Sequence, residues 1–389
     1  MHLSPLVTSL VEPATLLMAR RSRELKAQGR DIIDLSLGEP DHYPPAFALA
    51  AAHEALNGPW HKYPPVNGHL DVRQAIARKF KRDNGLEYTA DQIVVSTGAK
   101  QSLINVVMAL VGPGDEVVIP APYWVTYSEQ VRLAGGTPVI VTSTLEENWK
   151  PPVERIAAAI TPRTRLLMFS SPCNPSGSVL TLEEMEALAA VVRKHPELYV
   201  VSDEIYEHIV FSGTHRSFAA LPGMMERTVT VNGLSKAFAL TGWRMGYIGA
   251  PLWIAQAATK IQGQFTSGAN SIAQRVALAC VEADPAQLGG MRADFLRRRD
   301  LLIEALKTVP GWRCNVPQGA FYVLPDASAS LRKLGLKTSQ DLCMHLLEHA
   351  GVGVVEGDAF GATGTVRISY ATSDDKLLAA VDRIAQALV

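Results

Sequence analysis

At 389 residues and 47% hydrophobic content, the chain is long enough for two domains and can bury a sizeable core. Its formal net charge of −1 supplies no basic field for nucleic acid and no polybasic arm for a membrane, which leaves small molecules and other protein subunits as partners. Four dispersed cysteines (Cys173, Cys280, Cys314, Cys343) form no C-x-x-C pair, so neither a metal site nor a disulfide framework is expected.

The first residues, "MHLSPLVTSLVEPATLLMARRSRELKAQG", lack a basic start followed by an apolar core and a cleavage site. No apolar run approaches bilayer-spanning length. A soluble, cytoplasmic protein is expected.

From about Asp91 to Ala250, β-rich runs alternate with helical patterns. "QIVVST" leads into "GAKQSLINVVMALV", "DEVVIP" into "YWVTYSEQVRLAG", and "TPVIVTS" into "PPVERIAAAIT". "TRLLMFSSP" precedes "TLEEMEALAAVVRKH", and "LYVVSDEIY" and "TVTVNGL" follow. Short runs that are apolar on both faces, separated by helices, predict a mostly parallel sheet covered on both sides, an α/β fold. Thr181 with Glu184 three residues later carries the capping-box signature of a helix start.

After about Pro285 the alternation becomes irregular. A long charged helix is followed by "GAFYVLPD", a helix around Ser339–His349, "GVGVVEG", "TVRISYA" and a closing helix. The expected division is a large α/β domain over residues 46–285 and a smaller α+β domain over 286–389. Residues 1–45 are expected to pack with the smaller one.

Polar clusters fall at the ends of the predicted strands, where open α/β sheets bind ligands. "STGAKQS" (Ser96–Ser102) is a strand end, a small-residue turn and a helix start, suited to a phosphate or simply a connection. It is no Walker A loop, and no G-x-G-x-x-G follows a strand, so ATP and NAD are not supported. "SSPCNPSG" holds Asn174 rigid between prolines, as a ligand donor or as plain loop chemistry. "VVSDEIYEH" ends a buried strand with Asp203 and Tyr206; a buried acid needs a partner, or Asp203 caps the next turn. The rings of "PYWVTY" read as core when taken alone. Lys236 sits where the Val-rich "TVTVNGL" breaks into "SKAFALTGWRMGY", either as a surface lysine or as something more specific.

Together the clusters suit one ligand with a phosphate, a ring nitrogen, a phenolic oxygen, a flat face and an aldehyde: pyridoxal 5′-phosphate. From "LSLGEPD" through "KYPPVNGHLDVRQAI", "STGAKQ", "SSPCNPSG", "SDEIYEH" and "GLSKAFALTGWRMGY" to "VRISYA", nearly the whole chain resembles the fold-type I pyridoxal-phosphate enzymes. Within these it is similar to the class I/II aminotransferases of the aspartate aminotransferase group. The resemblance implies a large domain with a mostly parallel seven-stranded sheet, a smaller α+β domain, and ping-pong chemistry.

By that resemblance Lys236 carries the cofactor as a Schiff base and, once freed, moves the proton between Cα and C4′. Asp203 pairs with the pyridine nitrogen, Tyr206 and Asn174 hold the phenolic oxygen, and Trp124 stacks on the ring, with its neighbour Tyr123 a weaker match. Gly98, Ala99 and Lys100 offer backbone N–H groups to the phosphate, completed by Ser235 and the forked Arg244. Tyr63 matches a residue that reaches the phosphate of the other subunit, which implies a homodimer with shared sites. Arg367 matches the clamp on the substrate α-carboxylate, and Gly38 lies beside it.

The substrate is less closely specified. "QGQFTSGAN" (Gln262–Asn270) has no arginine to read a distal carboxylate, whereas Lys100 matches the lysine that does so in the other branch, with Thr15 as a helper. Lys100 also reads as a solvent-facing lysine in the first helical turn. Transfer of an amino group from L-aspartate to 2-oxoglutarate is expected. Prephenate or aromatic transamination is the alternative, and C–S β-lyase chemistry or a regulator's effector domain stands further off.

Overall fold

The computed structural model describes residues 3–389. A short strand, β1 (Ile33–Asp34), precedes seven that form one sheet. These are β2 (Ile93–Thr97), β3 (Glu116–Pro120), β4 (Thr137–Val141), β5 (Thr164–Ser170), β6 (Tyr199–Asp203), β7 (Thr228–Gly233) and β8 (Met245–Gly249). They lie in the order β2-β8-β7-β6-β5-β3-β4. Only β8 runs antiparallel to its neighbours, β2 and β7.

The apolar runs alternate between two packed layers, as period-two geometry demands. Val117, Leu166, Met168 and Val201 join one apolar cluster, while Val118, Leu167, Phe169 and Val200 join another on the opposite face. The helices Ala99–Leu110 and Leu252–Phe265 cover the first face, and Leu182–Arg193 covers the second. The last of these begins with the expected capping box, Thr181 and Glu184 each satisfying the other's backbone N–H.

The C-terminal part carries β9 (Tyr322–Val323), β10 (Val352–Gly353), β11 (Val355–Glu356) and β12 (Val366–Ser369), flanked by the helices Gly289–Leu306 and Asp374–Ala387. β11-β12-β9 is a small antiparallel sheet. β1 pairs in parallel with β10, Ile33 opposite Val352, so the N-terminal segment adds a strand beside the C-terminal one. Met18, Ile32 and Leu35 share an apolar core with Phe295, Val352, Ile368 and Val381; Ile205, Tyr206 and Ile209, just past β6, reach into that same core. No helix among the described residues is long and apolar enough to cross a membrane.

Candidate active site

The parallel strands end on one edge, and the antiparallel β8 begins there. Ser170 sits opposite Asp203, Asp203 opposite Val231, and Thr97 opposite Met245. The residues just beyond those points therefore converge. They line a cavity of about 310 Å³ with Thr15, Gly38, Ala99, Lys100, Trp124, Asn174, Asp203, Tyr206, Ser235, Lys236, Arg244 and Arg367 in its wall. Twelve residues singled out from sequence, separated by up to 352 positions, thus share one cavity.

Gly98 lies behind that wall. Its φ of +82° and ψ of 157° fall in a region open only to glycine, and a Cβ there would lie 2.4 Å from Arg244 Nη2. At Gly246 a Cβ would lie 2.1 Å from the Ala99 nitrogen, so β8 also passes tightly beneath this turn. The turn ends by opening the helix Ala99–Leu110, and the N–H groups of Ala99 and Lys100 find no acceptor among the described residues. Two free donors at a helix start beside Arg244 form an anion cradle.

Lys236 follows the buried strand β7 and donates from Nζ to the Gly38 carbonyl. Burial pushes its amine down to about 8; Arg367 and Arg244 add to the fall, and Glu39 and Asp203 oppose it. Asp203 is 4% exposed, and burial pushes its carboxyl up to about 6 against the hydrogen bond from Tyr127. Tyr127 Oη donates to Asp203 Oδ2 at 2.7 Å, while Oδ1 accepts the Ile205 N–H at 3.3 Å. Asp203 therefore caps the turn after β6 and also faces the cavity, so the two sequence readings hold together.

Arg367 is 1% exposed yet has no carboxylate partner among the described residues. Its Nη1 donates to Asn174 Oδ1 at 3.0 Å, its Nη2 donates to the Ser36 carbonyl, and its Nε has no acceptor. The guanidinium lies against the rings of Tyr322 (4.5 Å) and Phe360 (5.0 Å), and burial lowers its pKa. A buried cation without a counter-charge is costly unless a ligand supplies one. Lys100 is exposed to solvent at the cavity rim, as its alternative reading had it, and lies over the Trp124 ring at 4.9 Å; partial desolvation and then Arg244 lower its pKa.

Two expected residues lie elsewhere. Tyr123 is buried in the core under Gly361, with its N–H on the Phe360 carbonyl. Tyr63 is 94% exposed and absent from the cavity wall of its own chain. Sequence reasoning missed Tyr127 and Tyr322. Tyr322 hydrogen-bonds the Tyr206 hydroxyl at 3.0 Å, and its own hydroxyl would lie 2.4 Å from a Cβ at Gly38. Tyr127 stands three residues after Trp124, one turn on at the start of the helix Thr126–Leu133, and the two rings meet edge to face at 5.7 Å; that spacing was the available signal. Tyr322 sits in "GAFYVLP", where nothing distinguishes it from core.

An α/β fold that brings a lowered amine, a buried carboxylate, an anion cradle and an unpaired arginine to one sheet edge defines a group-transfer enzyme for anionic amines. The sequence profile described as aminotransferase class I and II matches residues 30–384, and the chain belongs to that family. It is similar to the bifunctional aspartate aminotransferase and glutamate/aspartate-prephenate aminotransferase of Petunia hybrida, 45% identical over all of this chain and 83% of the relative. The aspartate/prephenate aminotransferase of Nitrosomonas europaea is 44% identical over the full length of both. Among solved structures, the aspartate aminotransferase from Thermus thermophilus with maleate superposes with a TM-score of 0.94 at 42% identity, covering both chains completely. The protein is an aminotransferase.

Proposed function

We propose that this aminotransferase uses pyridoxal 5′-phosphate to move an amino group from L-aspartate to 2-oxoglutarate. The observation that carries the choice of substrate is a pair of cations in one cavity, Arg367 and Lys100, without carboxylate partners among the described residues. A dicarboxylic amino acid supplies both counter-charges, and a monocarboxylic one leaves Lys100 unanswered. The relatives' names and the maleate of the Thermus structure point to the same class of substrate.

The cavity's donor set fits the cofactor. The cofactor's phosphate would take the Ala99 and Lys100 N–H groups, the Ser235 hydroxyl and Arg244. Gly98 permits Arg244 to approach that closely. The ring N–H would meet Asp203, whose raised carboxyl would then be held ionised, with Tyr127 fixing its orientation. Asn174 commits its oxygen to Arg367, which leaves its amide N–H groups for the ring's phenolic oxygen beside Tyr206. Trp124 would cover the ring face.

When bound, the cofactor supplies an aldehyde that condenses with amines and a ring that disperses the negative charge left at the substrate Cα. Lys236 would anchor it and, in its neutral form, carry the proton away from Cα and return it two atoms further on, beyond the amino nitrogen. Arg367 would clamp the α-carboxylate in a forked pair of bonds and turn the single Cα–H bond toward Lys236. Lys100, helped by Thr15, would bind the distal carboxylate.

Tyr63 would reach the phosphate of a second copy. It and Phe265 (64% exposed) stand on neighbouring segments joined by hydrogen bonds from Gln262 to Val66 and from Ser271 to Lys62. Large exposed rings on one face suit burial in a homodimer. Residues 46–285 would form the cofactor-binding domain, with 1–45 and 286–389 the smaller one, in a cytoplasmic enzyme without membrane or nucleic-acid partners.

Lys100→Ala tests the substrate reading. We expect kcat/KM for aspartate to fall at least ~30-fold, the scale of one charge-assisted bond, while that for phenylalanine or alanine changes less than about threefold. Equal losses would sink the assignment. Prephenate carries two carboxylates as well, and the Petunia and Nitrosomonas names favour it as a second acceptor. The same variant should then lose prephenate turnover in parallel with aspartate.

A further inference from the structure

The contacts assigned to cofactor and substrate leave the Tyr322 hydroxyl without a role, although Tyr322 stands in the wall of the same cavity. It lies on β9 opposite Ser369 of β12, the strand that also carries Arg367. Its ring packs against the Arg367 guanidinium and meets the Tyr206 ring edge to face, with centres 5.9 Å apart. The two hydroxyls are 3.0 Å apart, so they join the small C-terminal sheet to the segment just past β6. A Cβ at Gly38 would lie 2.4 Å from Tyr322 Oη, so a residue without a side chain there leaves the hydroxyl its place.

Which tyrosine donates follows from counting hydrogens. A hydroxyl has one hydrogen to give and two lone pairs to offer. Once Tyr206 gives its hydrogen to the phenolic oxygen of the cofactor ring, the hydrogen between the two tyrosines is that of Tyr322. Burial pushes both phenols up, so both keep their hydrogens near neutrality. Arg367 opposes that rise at each of them, while Glu39 adds to it at Tyr322 and Asp203 at Tyr206. A cation beside a phenol makes it the stronger donor, and Arg367 touches the Tyr322 ring directly.

We propose that Tyr322 is a positioning residue that donates to Tyr206 and thereby strengthens the bond from Tyr206 to the cofactor's phenolic oxygen. This rests on the cofactor reading above. Hydrogen bonds in a chain polarise one another, by about 10–30% per bond. A better-supported phenolic oxygen holds its negative charge more easily without a proton nearby. The nitrogen joining the cofactor to Lys236, which shares its proton with that oxygen, then releases the proton at lower pH.

Tyr322→Phe keeps the ring against Arg367 and removes only the hydroxyl. In cofactor-loaded enzyme without substrate, the pKa of that nitrogen is read from the visible absorption. It should rise by about 0.3–0.6 unit in the variant, the scale of one lost cooperative bond. KM for the amino donor should change less than about twofold, because Arg367 keeps its bonds to Asn174 and Ser36. Tyr206→Phe should raise the same pKa on its own. Adding Tyr322→Phe to it should then contribute less than about 0.1 unit, since the chain is already cut. An unshifted absorption titration in Tyr322→Phe, or the full shift in the Tyr206→Phe background, would overturn the proposal while leaving the cofactor reading intact. A wild-type enzyme that shows no such absorption with added cofactor would overturn both.

Discussion

Lys236 shows how far a buried setting moves one group. An ordinary lysine is almost wholly protonated near neutrality, whereas this amine is pushed down to about 8 by burial and by the nearby Arg367 and Arg244. Only the neutral form is a nucleophile or a base. In enzyme stripped of its cofactor, acylation of Lys236 by a small reagent should therefore rise with pH through about 8 and then level off. Exposed lysines should go on gaining reactivity to beyond pH 10. Peptide mass spectrometry across pH 6–10 reads both, and a Lys236 curve that tracks the exposed lysines would contradict the assignment.

Arg367 permits a second test at the same scale. Arg367→Lys preserves the buried charge but not the fork that holds Asn174 and Ser36 together. The KM for the amino donor should rise about tenfold or more, with kcat changed less. A KM left at the wild-type value would show that the carboxylate binds elsewhere.

Among the elements, the turn from β2 into the helix Ala99–Leu110 is the most constrained. Gly98→Ala should cost about 1–3 kcal/mol from backbone strain alone, and it should push Arg244 off the turn. We expect cofactor affinity, measured by fluorescence titration, to drop by more than tenfold. Gly242→Ala, where a Cβ meets nothing within 4 Å, should leave it unchanged.

The same turn shows what was legible in the sequence. The strand-helix alternation could be read because apolar runs buried on both faces leave a simple pattern, and "STGAKQ" marked where one run stops. Ser170, Asp203 and Lys236 could be placed at strand ends for the same reason. The partners of those residues could not. Tyr127 and Tyr322 look like any aromatic in an apolar stretch, since what sets them apart is a hydroxyl aimed at Asp203 or Tyr206 across more than seventy positions.

At the scale of the whole molecule, the site draws on residues from Thr15 to Arg367, and Tyr63 stands exposed outside the wall of its own cavity. If two copies share their sites, subunits defective in different residues should rescue one another. Lys236→Ala and Tyr63→Ala homodimers, each impaired, should regain about a quarter of wild-type activity when subunits are exchanged at equal amounts. Half of the dimers would then be mixed, with one intact site in each. Size-exclusion light scattering on the same mixture reports whether dimers are present. No recovery despite exchange would leave Tyr63 without that role.

The bond between Arg367 and the Ser36 carbonyl spans 331 positions. A ribosome adding roughly 5–20 residues per second takes about 15–65 s to cover that distance. For most of that time β1 lacks its neighbour β10, and the apolar side chains of Met18, Ile32 and Leu35 wait for core partners such as Val352, Ile368 and Val381. The segment that closes the substrate site is thus among the first to be synthesised and among the last to be folded. A nascent chain of this enzyme carries an uncovered strand edge through most of its synthesis, a natural place for a chaperone to hold it.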